Sequence, residues 1–98
     1  MAIKSFANQT TADIAAGVNS KAARRIPQRV WTAAMTRLDA LQAAETLADL
    51  NLPAWRLEPL KYTKPGFYSI RVNDQFRILF RFTEGNAYDV EVSDYHGK

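Results

Sequence analysis

A two-layer α+β domain, with N-terminal helices packed on an antiparallel twisted sheet, is the fold class this chain predicts. Two observations carry that expectation. In the first half, Val30, Trp31, Ala34, Met35, Leu38 and Leu41 recur at helical spacing. In the second half the period drops to two: Tyr68, Ile70 and Val72, then Phe76, Ile78, Phe80 and Phe82. The change falls near Pro53, and helices followed by hairpin-linked strands give segregated layers. With 98 residues, 47% of them hydrophobic, the chain can fill one modest core, so residues 1–98 are expected to form a single domain.

The elements follow in order. Ile3 to Phe6 reads as a short strand. Thr10-Thr11-Ala12-Asp13 offers a hydroxyl cap and a first-turn acid, with Ile14 and Val18 on one helical face and Gly17 ending or weakening the helix. Pro27 suits the first turn of the long helix. Arg29, Arg37 and Asp39 fall off its apolar stripe, and Lys21-Ala22-Ala23-Arg24-Arg25 before it reads as a solvated, basic approach. Thr46 to Leu50 adds one more helical turn. Asn73-Asp74 and Glu84-Gly85-Asn86 are turn signals between three strands, the last with Tyr88, Val90 and Val92 directed inward. Arg71, Arg77 and Arg81 then fall on the face away from the core.

Composition narrows the chemistry. There is no cysteine, which excludes a thiol nucleophile or thiolate metal site, and one histidine cannot build a multi-histidine metal centre. No metal or cofactor is expected. No apolar run approaches the roughly 18 residues of a membrane span, and Met1 to Phe6 lacks a signal-peptide core, so a cytoplasmic protein with no membrane partner is expected. The net charge of +3 is uneven: residues 53–82 hold six basic and two acidic side chains, whereas residues 83–98 net −3. A polyanion is therefore drawn to one third of the chain.

Arg71, Arg77 and Arg81, flanked by Lys61 and Lys64 and by Tyr62, Phe67 and Tyr95, combine cations with rings. That mixture suits single-stranded RNA, in which cations hold phosphates and rings stack on bases. A half-exposed sheet also carries a polar outer face merely to meet water. At the far end of the last strand come Asp94, Tyr95 and His96, expected to reach the end of the sheet where Arg71, Asn73 and Lys61 could meet them. Such a set suffices for metal-free RNA cleavage. RNA carries its own 2′-hydroxyl nucleophile; the protein must orient it, move protons and stabilise charge on the phosphate. His96 is the group that titrates near neutral pH.

Several blocks carry a family resemblance: Ile3-Lys4-Ser5-Phe6, Arg56-Leu57-Glu58-Pro59-Leu60-Lys61, Tyr68 to Ile78 with its Ser-Ile-Arg-Val-Asn-Asp-Gln core, Ala87-Tyr88-Asp89-Val90-Glu91, and Asp94-Tyr95-His96. Taken together and in order, they resemble the HigB branch of the RelE/ParE toxin superfamily, across almost the whole chain. The resemblance implies a RelE-like fold and a bacterial type II toxin that enters the ribosome's aminoacyl site and cuts messenger RNA. It also implies a helix-turn-helix, HigA-like antitoxin, and through it an indirect link to operator DNA.

By matching position, the resemblance makes Lys61, Arg71, Asp94, Tyr95 and His96 catalytic candidates, and Asn73 and Arg77 RNA-binding candidates; Lys64 and Arg81 join the RNA-binding set through the charge pattern. Tyr95 fits a stacking or orienting ring better than a base, since a free phenol titrates near 10. Where relatives usually have a glycine, an acid and an arginine, this chain has Tyr62-Thr63-Lys64-Pro65; Lys64 takes the place of the missing basic group. Two other functions remain open at this point: a non-enzymatic gyrase inhibitor of the ParE kind, and an RNA-binding module without cleavage.

Overall fold

The computed structural model describes residues 2–94. Helices α1 (Gln9–Ala16) and α2 (Gln28–Ala43) precede four strands, β1 (Glu58–Pro59), β2 (Phe67–Arg71), β3 (Phe76–Thr83) and β4 (Asn86–Asp94). Single 3₁₀ turns at Ala23–Arg25, Leu47–Leu50 and Pro53–Trp55 join them. The sheet runs β1-β2-β3-β4 with every neighbour antiparallel. This is the expected two-layer α+β arrangement, with one strand more than the alternation predicts. β1 is only two residues long and contains Pro59, which an edge strand tolerates because it need not donate on its open side.

The core lies between the layers. Val30, Ala34, Leu38 and Leu41 of α2 and Ile14 of α1 meet Ile70, Phe76, Ile78, Phe80, Val90 and Val92 of the sheet. Trp31 and Met35 flank this core, and the Trp31 indole N–H donates to the Ile26 carbonyl at 2.9 Å. Leu50 is buried and Leu47 packs beside it, with Thr46 and Asp49 forming a reciprocal cap for their turn.

Local details depart from the sequence pattern for identifiable reasons. Asn8, not a threonine, caps α1: its side chain accepts from the Thr11 N–H at 2.9 Å. The two threonines act across the fold instead. Thr10 donates to the Ala22 carbonyl at 2.8 Å, and buried Thr11 Oγ1 accepts the Val92 N–H of β4 at 3.0 Å. Ile3 and Phe6 do not form a regular strand but make isolated parallel bridges to Ala87 and Val90 of β4. Gly17 ends α1 in a left-handed conformation (φ 75°), which glycine adopts without steric cost.

The largest departure is in β4. Leu79 faces Glu91, but Arg81 faces Tyr88, so β4 carries one extra residue between those pairs. That residue is Asp89, in the left-handed region at φ 54°. The bulge shifts the face of everything before it. Ala87 turns inward and is buried, whereas Tyr88, expected inward, lies opposite Arg81 on the outer face. The Ser5 hydroxyl receives the Asp89 N–H at 2.9 Å and steadies the bulge.

The turn after Arg71 also differs from a two-residue hairpin. The Val72 and Asn73 N–H groups both donate to the Phe76 carbonyl, and Asn73 Oδ1 accepts from the Gln75 and Phe76 N–H groups at 2.9 and 2.8 Å. The Asn73 side chain thus builds the turn, as short polar residues do.

Candidate functional site

Arg71 of β2 and Arg77 of β3 lie directly opposite each other. Opposed residues of an antiparallel pair share a face, here the one away from the helices. Arg81 lies on the same face farther along β3, opposite Phe67. The three arginines surround a closed centre, since Ser69 and Leu79 on that face are buried.

Each guanidinium is held. Arg71 pairs with Asp74 of the following turn. Arg77, with a side chain only 14% exposed, pairs with Glu58 of β1 at 3.3 Å and donates to the Arg56 carbonyl at 3.0 Å. Arg56 adopts a left-handed backbone (φ 48°) just before β1. Arg81 Nε lies 3.2 Å from Asp89, and its guanidinium sits 4.7 Å from the centre of the Tyr88 ring. The bulge therefore supplies both partners of Arg81. The face is not the bare row of cations that strand alternation suggests.

A fourth arginine joins from the helical layer. Arg37 donates through Nε to the Arg71 carbonyl at 2.8 Å and through Nη1 to the Ala33 carbonyl at 3.1 Å. Its guanidinium lies 5.0 Å from the Trp55 ring centre. Partial burial, and next the positive charge of Arg71, lower the Arg37 pKa. Sequence reading passes over Arg37 as a polar residue off the α2 stripe, and over Glu58 as part of a motif. Glu58 could be found only by pairing β1 with β2, which sets it opposite Ser69.

The other candidates divide between the two ends of β2. At the Arg71 end, Asp94 faces Phe76 across β3–β4, and Ser93 is the residue opposite Arg77. Asp94 is exposed and accepts from Gln75 Nε2 at 3.2 Å, which brings it against the turn built by Asn73. Tyr95 and His96 lie outside the described residues. Lys61 and Lys64 do not join this end. They sit in the turn linking β1 to β2, where the Leu60 N–H donates to the Phe67 carbonyl and the Lys64 N–H to the Leu60 carbonyl. Phe67 and Arg71 bound a five-residue strand, so that turn lies roughly 13 Å from Arg71 along β2. There the Lys64 ammonium lies 4.9 Å from the centre of the Phe67 ring, and Tyr62 is 96% exposed.

Asp94, opposite core Phe76, lies on the face turned toward the helices, whereas Arg71 and Arg77 lie on the other, so the sheet end brings them together but strand register does not put them on one face. Chemically, the arginine end offers guanidinium forks suited to phosphate oxygens, whereas the lysine end offers flexible cations and exposed Tyr62. No helix among the described residues is long and apolar enough to cross a membrane.

Comparison with known proteins gives the same direction. Residues 18–96 match the family model described as the RelE-like toxin of type II toxin-antitoxin system HigB. The chain is 40% identical over 60 residues to Endoribonuclease HigB of Proteus vulgaris, a match covering 61% of this chain and 65% of that protein, just under two thirds of its length. It is 37% identical over 78 residues to Toxin HigB-1 of Vibrio cholerae, covering 79% of this chain and 82% of that one. An uncharacterized protein of Haemophilus influenzae is 36% identical over 73 residues, covering 74% and 71%. The chain thus belongs to the RelE-like HigB toxins of type II toxin-antitoxin systems, a class in which a toxin has an antitoxin as its partner.

Proposed function

We propose that this toxin is a ribosome-dependent endoribonuclease that cuts messenger RNA by attack of the RNA's own 2′-hydroxyl on the adjacent phosphate. The observation that carries this reading is the facing pair Arg71 and Arg77, placed at the end of the sheet to which β4 brings Asp94. The name of the Proteus vulgaris relative supports it.

In the reaction, the 2′-oxygen loses its proton and bonds to phosphorus. The bond to the 5′-oxygen breaks, and that oxygen takes a proton, leaving a 2′,3′-cyclic phosphate. Arg71 and Arg77 stabilise the charge that builds on the phosphate oxygens. His96 and Asp94 are the proton-transfer groups, and Tyr95 stacks on or orients the RNA. Arg81 with Tyr88, and the Lys61–Lys64 turn, hold the strand on either side. Asn73 keeps its carbonyl oxygen in the turn and offers RNA its amide N–H groups.

Few side chains on this small sheet can read bases. The ribosome supplies what they lack, a strand already bent and fixed in place. The partner antitoxin is a HigA-like helix-turn-helix protein that links the toxin to operator DNA, and the site of action is the cytoplasm.

The test is induced expression with mapping of RNA 5′ ends. Growth arrest with new ends inside translated messages, absent when translation is blocked and from purified RNA without ribosomes, is the expected result. Arrest with intact messages and inhibited DNA supercoiling would place the protein among gyrase inhibitors.

A further inference from the structure

All three arginines of the outer face are already engaged by carboxylates of this chain: Arg71 by Asp74, Arg77 by Glu58 and Arg81 by Asp89. The acids come from three separate places, the turn before β3, the edge strand β1 and the bulge of β4. They are not core residues; their side chains are 99%, 54% and 49% exposed. The arginine face of the free protein is thus electrically balanced pair by pair. Lys61 and Lys64, in the turn at the other end of β2, make no ion pair among the described residues.

We infer that Asp74, Glu58 and Asp89 set the protein's selectivity for RNA by occupying the arginines until phosphates replace them. The inference rests on RNA being the substrate, as proposed above. A carboxylate and a phosphate compete for the same guanidinium fork. The Arg71–Asp74 and Arg81–Asp89 pairs are the more open, and such pairs are weak, roughly a one- to fivefold factor in equilibrium. Arg77 is mostly covered, but its partner Glu58 is half exposed. A strand with its phosphates fixed in register can displace these exposed carboxylates.

A loose strand meets a different balance. It must order its backbone while approaching three carboxylates that repel it, and the ordering cost falls on binding. Loose RNA is left to the lysine turn, and the arginine face engages only a strand held in shape. The acids turn an attractive surface into a conditional one.

The experiment uses Asp74→Asn, Glu58→Gln and Asp89→Asn, singly and together. Glu45→Gln, an exposed acid beyond α2 and away from the sheet face, removes the same charge as a control. The probe is a fluorescent 12-nucleotide RNA with 2′-O-methyl groups, which cannot be cut, followed by anisotropy without ribosomes across a salt series.

Each face variant should bind the probe up to roughly fivefold more tightly than Glu45→Gln does. The plot of log affinity against log salt should steepen by about 0.7 for each arginine released. Tightening no greater than that of Glu45→Gln, or an unchanged slope, overturns the inference. Asp74→Asn, at a fully exposed turn position, gives the answer even if Glu58→Gln loosens Arg77 enough to unfold the protein. This binding measurement does not depend on cleavage. A wild type that cuts no message on ribosomes would sink the nuclease reading and leave the binding result to stand or fall alone.

Discussion

Arg37 and Arg71 are joined head to backbone: the Arg37 Nε–H reaches the Arg71 carbonyl at 2.8 Å, tying α2 to the end of β2. Two cations are brought together by a hydrogen bond that uses only one of their charged groups. The contact fixes where Arg71 leaves the strand and where the Asn73 turn begins. Replacing Arg37 with Met keeps an unbranched chain near Trp55 but removes that donor. Cleavage should fall about 10–100-fold through misplacement of Arg71, with stability lowered by about 1 kcal/mol. Single-turnover kinetics and urea denaturation separate the two effects, and a larger loss in ribosome affinity than in rate would contradict a positioning role.

Arg71→Ala and Arg77→Ala should behave differently. Each should cost about 10²–10³ in cleavage rate, as loss of one charge-stabilising donor does. Only Arg77→Ala should also weaken the fold, by about 1–3 kcal/mol. Its side chain is mostly covered and serves both Glu58 and the Arg56 carbonyl. Among the described residues Arg71 makes its ion pair with the exposed Asp74 carboxylate, and its truncation should stay within ~0.5 kcal/mol of wild type. Denaturation curves of the two variants side by side check this contrast.

The His96 assignment is tested by His96→Gln, which keeps hydrogen bonding but cannot carry a proton near neutral pH. Single-turnover cleavage of a ribosome-bound message should slow by roughly 10²–10⁴-fold with ribosome binding unchanged. Equal rates would leave Asp94 or a lysine as the acid–base group.

Thr11→Val should cost about 1–3 kcal/mol, because it strips the acceptor from the buried Val92 N–H without changing side-chain shape. Thr11→Ser keeps the oxygen and should recover most of that loss. If both variants melt with the wild type, the bridge between α1 and β4 carries no weight.

Acid sensitivity follows from two carboxylates. Hydrogen bonds from Ser20, then Gln9, hold the Asp13 carboxyl below its ordinary value of 3.8; backbone N–H groups of Glu45, then Thr46, do the same for Asp49. A lowered folded-state pKa gives stability that is fully present above the unfolded value and is lost as pH falls through the folded one. Asp13→Asn should therefore lower the melting temperature at pH 7. The gap from wild type should close as pH drops below 3.8. Thermal melts from pH 7 to pH 2 would show this, and a gap independent of pH would refute it.

The sheet was legible because Tyr68 to Val72 and Phe76 to Phe82 each alternate on either side of the Asn73 turn, and a period of two assigns each side chain a face. Tyr88 defeats that reasoning. One extra residue at Asp89 reverses the face, and nothing in the local pattern marks a non-glycine residue in the left-handed region. The shared face of Arg71 and Arg77 was readable, but the pairing of Arg77 with Glu58 was not. Glu58 lies 19 positions away on a two-residue strand too short to leave a pattern. Arg37 was hidden for a related reason: it acts through a backbone carbonyl, and sequence does not say which carbonyls face a helix.

The bridges from Ile3 and Phe6 to β4 have a consequence for when this molecule comes into being. Ser5 and Asp89, joined by a hydrogen bond, are 84 residues apart, and the flanking backbone bonds span similar gaps. Contacts between distant parts of a chain form late, after the intervening loop has been closed. During synthesis the segment around Ser5 waits until β4 has left the exit tunnel. The bulge that supplies Tyr88 and Asp89 to Arg81 is completed only then, so a partly made chain carries Arg81 without the frame that aims it.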